Sequence, residues 1–125
     1  MKIIKISFAL TLFLSLNSIA QTIKFKKPEG TFVMENSGCA GLQFGTDNSL
    51  TLIDEMGFSP VEFRTKWIDD STFVAVEKDP SQKNCPPRVA VYEIIGFDGK
   101  TLKLKEFWTG WGSQKDDITI YVKKQ

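Results

Sequence analysis

Asp69-Asp70 and Asp116-Asp117 are pairs of adjacent carboxylates that could in principle work as an acid/base pair or ligate calcium. Both sit in turn-like surroundings, and on extended backbone neighbouring side chains point to opposite faces, so the two acids of each pair diverge. Neither has the spaced oxygen ligands of a calcium loop, and both read as solvated turn formers. The chain contains no histidine. That removes the common general base, the Ser-His and Cys-His dyads and the commonest metal ligand together. Two cysteines without histidine make a poor zinc site, and no glycine-rich phosphate loop opens a helix. The expectation is a protein that is not an enzyme, with no metal and no cofactor.

The residues left over are suited to contact instead. Trp108 and Trp111 stand three apart in a glycine-containing stretch, Phe107-Trp108-Thr109-Gly110-Trp111-Gly112. Two readings stay open for them: one ring plugs an end of the fold while the other covers its rim, or the pair offers flat faces to a sugar, a lipid or a protein. Glu106 falls on the same face as Leu102 and Leu104, near a strand end. It is either a polar ligand contact or a solvent-exposed rim residue. Trp67 and Tyr92 complete the ligand-binding candidates, as large aromatic side chains on the inward faces of their strands.

Cys39 and Cys85 both lie in turn-like stretches, one after Asn36-Ser37-Gly38 and the other before Pro86-Pro87. In an oxidising compartment a disulfide between them is expected. Closing that loop would stabilise the chain by roughly 4 kcal/mol in the chain-entropy model.

The elements that must position these residues are β-strands. The stretch 88–109 holds two β-rich runs around Asp98-Gly99 and reads as a hairpin. A two-residue loop there would place Glu93 on the face of Ile95, Leu102 and Leu104. A three-residue loop, Phe97-Asp98-Gly99 with Gly99 at positive φ, places Tyr92 and Ile94 beside Leu102 and Leu104 and sets Glu93 opposite Lys103, outside. The second register is preferred, because an unpaired buried carboxylate is costly. Further strands are expected at 30–35, 41–44, 49–54, 61–68 and 72–77, with a three-residue loop 69–71 that pairs Trp67 with Phe73 and Thr65 with Ala75. A last strand at 117–123 alternates, with Ile118, Ile120 and Val122 on one face and Thr119, Tyr121 and Lys123 on the other.

Eight short strands and no helical-period segment describe an all-β fold, a small antiparallel up-and-down meander that can close into an eight-stranded barrel and so remove its edges. Its interior is expected to be filled largely by Phe32, Phe44, Phe63, Trp67, Phe73 and Tyr92. Ahead of it, Lys2 and Lys5 precede an apolar run, 6–16, too short to span a bilayer and followed by Ser18-Ile19-Ala20, which reads as a signal peptide over residues 1–20. Residues 21–125 then form one domain, secreted or periplasmic, with no membrane insertion. The whole chain carries 16 basic and 15 acidic residues. Without Lys2 and Lys5 the balance becomes −1, and no nucleic-acid partner is implied.

Over about residues 28–123 the chain resembles the lipocalin-like, or calycin, barrels, and within them the short bacterial domains. The resemblance rests on Gly30-Thr31-Phe32 at the first strand, where the family often has Gly-x-Trp, on the meander, and on the Tyr92-Glu93-Ile94 and Leu102-Lys103-Leu104 hairpin. Phe32 stands in place of the tryptophan. The late basic residue that packs over that tryptophan in the family is not singled out by the sequence. What the resemblance implies is a small apolar ligand in the barrel mouth and no defined reaction. The rival expectation is a glycan- or protein-interaction module built on Trp108 and Trp111.

Overall fold

Alternation of apolar and polar residues along short runs, broken by turn residues, produces eight strands in the computed structural model, which describes residues 25–57, 59–79 and 83–125. They are β1 (Gly30–Met34), β2 (Gly41–Phe44), β3 (Ser49–Ile53), β4 (Val61–Trp67), β5 (Thr72–Glu77), β6 (Val89–Phe97), β7 (Thr101–Glu106) and β8 (Asp117–Lys123). Each pairs antiparallel with the next, and β8 pairs back on β1, so the sheet is a closed up-and-down barrel. The segment read as a signal peptide lies outside the described residues.

Strand direction alternates, so the connections fall at two ends. The β1–β2, β3–β4, β5–β6 and β7–β8 loops share one end, here the loop end. The other three turns share the opposite end with residues 25–29, an arm in which Pro28 is buried and Phe25 packs against the core. We call this the arm end.

The interior is aromatic and filled. Phe32, Phe44, Phe63, Phe73, Tyr92, Leu42, Leu50, Ile94, Leu102 and Leu104 are all buried. Their rings touch in series: Phe97 to Phe32 at 5.8 Å between centroids, Phe32 to Phe44 at 5.9 Å, Phe44 to Phe73 at 5.9 Å and Phe73 to Tyr92 at 5.3 Å. Most of these contacts are edge-on, the arrangement that ring quadrupoles favour. Trp67 extends the series to the arm end, 4.8 Å from Phe73, but is only partly buried. The β4–β5 hairpin has the expected register, Trp67 opposite Phe73 and Thr65 opposite Ala75. Asp69 behaves as a turn former, accepting the Ser71 and Thr72 N–H groups at 2.8 and 2.7 Å.

The β6–β7 hairpin reaches the expected facing by a different route. Phe97 pairs with Leu102, and Asp98 accepts the Lys100 and Thr101 N–H groups at 2.8 and 2.6 Å, with Gly99 at φ +93°. Carried straight on, that register would turn Glu93 inward. A bulge between Ile94 and Gly96 shifts the phase instead. Tyr92 and Ile94 therefore face the core with Leu102 and Leu104, and Glu93 lies outside against Lys105, with which it forms an ion pair, not against Lys103.

In β8 the buried face is the more polar one. Tyr121 is buried opposite Leu102, while Ile118 and Val122 are 53% and 44% exposed on the outer wall. The disulfide expected between Cys39 and Cys85 is not formed. Both residues are exposed at the loop end, but their loops are rooted between β1 and β2 and between β5 and β6, on opposite sides of the barrel. A disulfide needs Cα atoms within roughly 7 Å.

Candidate functional site

The five ligand-binding candidates do not form one site. Trp67 belongs to the arm end, where the Lys27 ammonium lies 4.8 Å from its ring centroid. Tyr92 sits inside the barrel. Glu106, Trp108 and Trp111 belong to the loop end.

At the loop end, register brings Glu106 opposite both Tyr92 and Asp117. Glu106 is exposed at the rim, yet its carboxyl is pushed above the usual range, first by partial burial and then by the charge on Asp117, with the Tyr92 hydroxyl hydrogen-bonding to it and opposing the shift. Burial is likewise the first cause that pushes the Tyr92 and Tyr121 phenols up, with Glu106 adding to it in both. Among the described residues no group of three or more acidic or sulfur ligands is placed to hold a metal ion.

The β7–β8 loop is organised by Trp108. Its backbone N–H donates to Asp116 Oδ1 at 2.9 Å, and its indole N–H donates to the Gly112 carbonyl at 3.2 Å. Its ring lies so close to Gly110 that a Cβ there would be 2.3 Å from it. Gly110 is thus the residue type this loop needs, and Gly112, at φ +73°, turns the chain back. Trp108 remains 43% exposed, whereas Trp111 is 97% exposed. Neither ring plugs the barrel: Trp108 braces its own loop and Trp111 projects from it. Between the two legs of the loop lies a cleft of about 280 Å³, lined by Glu106, Trp108, Thr109, Gln114, Lys115 and Asp117 among others.

Three features escaped the sequence reading. Glu77 is buried on the inner face opposite Phe63, with one carboxylate oxygen accepting the Arg88 N–H at 3.0 Å and lying 3.5 Å from its guanidinium. The alternation Phe73-Ala75-Glu77 carried that signal. Asp116, read as a solvated turn residue, holds Trp108. Lys123 pairs with Phe32 across the β8–β1 seam and sets its ammonium 5.9 Å from that ring's centroid.

Comparison with known proteins finds no matching family model, no matching curated protein and no matching solved structure.

Proposed function

We propose that this protein is a secreted, non-catalytic, lipocalin-like barrel that binds a glycan or a protein partner through its β7–β8 loop, with Trp111 as the contact residue. The observation that carries the reading is the exposure of Trp111 on a loop already braced by Trp108, Gly110, Gly112 and Asp116. A large apolar ring left in water on a braced support loses little conformational freedom when a partner covers it. A small apolar ligand inside the barrel is the weaker reading, because aromatic rings already occupy the interior. The lipocalin-like kinship is supported by Lys123 over Phe32, a late basic residue covering the aromatic of the first strand.

The test is a glycan array, together with photo-crosslinking to protein partners from position 111, run on the wild type and on Trp111→Ala. The variant should lose binding while its circular dichroism and denaturation midpoint stay unchanged. Binding that survives Trp111→Ala rejects the reading.

A further inference from the structure

At the arm end, three lysines converge from two distant parts of the chain. Lys26 and Lys27 belong to the arm and Lys123 to the end of β8, and together with Glu29, Asp98 and Gly99 they line a cleft of about 380 Å³. Two of the three are held in place. The Lys27 ammonium rides 4.8 Å from the centre of Trp67 and the Lys123 ammonium 5.9 Å from the centre of Phe32. The Lys123 stem also packs at Gly30, with its Cε 3.5 Å from where a Cβ there would stand. An aromatic ring attracts an ammonium but does not neutralise it.

The carboxylates nearby reduce this charge without cancelling it. The Asp98 carboxylate is committed to its own turn, accepting two backbone N–H groups. Among the described residues, none of the three lysines forms an ion pair. Glu29 and Asp98 together leave the three ammonium groups an excess of one positive charge in the cleft, and two of the three are already oriented by the rings beneath. Pre-oriented donors lose less freedom on binding, and hydrogen bonds to ionised groups are the strong ones.

We propose that this cleft binds a small oxyanion of charge two or more, of the phosphate type, through Lys26, Lys27 and Lys123. The site lies at the opposite end of the barrel from the Trp111 loop and is independent of that reading. Trp67 then acts as the platform that holds Lys27 in place, not as a surface for the ligand.

Inorganic phosphate and pyrophosphate are the probes. Titrated into isotope-labelled protein at constant ionic strength, they should produce saturable amide shifts at Lys26, Lys27, Gly99 and Lys123 and a shift of the Trp67 indole N–H. The Trp108 and Trp111 indole signals should stay where they are, and pyrophosphate should bind more tightly than phosphate. Lys26→Gln and Lys27→Gln lie on the exposed arm, and each should weaken binding by about tenfold, the loss of one charge-assisted contact. Lys123→Gln should do the same, but because Lys123 also covers Phe32 the arm variants decide the matter. Equal shifts on adding sodium chloride alone, or unchanged affinity in both arm variants, would overturn the proposal.

Discussion

Glu77 and Glu106 both lie on the inward-facing side of their strands near the loop end, and they meet opposite fates. Glu77 is buried and held by the Arg88 N–H and guanidinium, which is what a carboxylate needs if it is to leave water. Glu106 stays at the rim beside Asp117, a like charge. Its raised pKa means that the protonated form is favoured by folding, so this contribution to stability is present below the ordinary value of 4.5 and is lost as the pH rises through the higher folded value. Glu106→Gln should therefore raise the denaturation midpoint at neutral pH. The gain over wild type should disappear as the pH falls below 4.5. Urea melts of the two proteins across that range check it, and a gain that persists in acid would mean that the partly buried charge of Glu106, beside Asp117, is not its source.

At the scale of elements, backbone proximity constrains β1 and β2. A Cβ on Gly41 would lie 2.1 Å from the Phe32 carbonyl oxygen and 3.0 Å from Val33 Cα, so the strands can only approach this closely with glycine there. Gly41→Ala should cost about 1–3 kcal/mol, as overpacking does elsewhere, read by chemical denaturation. In the β7–β8 loop, Gly110→Ala should drive the Trp108 ring from its seat. The expected result is a shifted Trp108 indole resonance with the barrel's stability changed by no more than about 0.5 kcal/mol. β8 makes a sharper test, because its apolar face is the outer one. Ile118→Thr should change stability by less than about 0.5 kcal/mol, whereas Tyr121→Ala, on the buried face, should cost several times more.

Taken as a whole, the molecule is held together by rings that reach across the barrel from different strands. Phe32 touches Phe44, Phe97 and the Lys123 ammonium, and is fully buried. It couples the β8–β1 seam, where the barrel closes, to strands on either side. Phe32→Ala should cost about 3–5 kcal/mol, a large part of what a domain of this size has. Equilibrium denaturation followed by both fluorescence and circular dichroism would measure it, and a loss below about 1 kcal/mol would show that the seam does not depend on this ring. The filled interior also divides the two proposed contact regions, with the Trp111 loop at one end and the lysine cleft at the other.

Local alternation and turn chemistry were enough to place all eight strands and to set the Trp67–Phe73 register, because a period of two and residues such as Asp, Asn and Gly act over a few positions. The count of strands favoured a barrel over a sandwich, and the pairing of β8 with β1 decided it. What sequence reading did not reach is what depends on residues far apart in the chain. The bulge at Ile95 lies outside the turn that sets the hairpin register, so the turn alone could not show where Glu93 would be turned outward. In β8, alternation marked two faces but not which one meets the core; the barrel's closure against β1 and β7 decided that, and it selected Tyr121. The same closure brought Lys123 to Phe32 and to the arm. The two cysteines, which their turn-like surroundings and an oxidising compartment suggested as a pair, are not bonded to each other and lie in loops whose roots are four strands apart around the barrel.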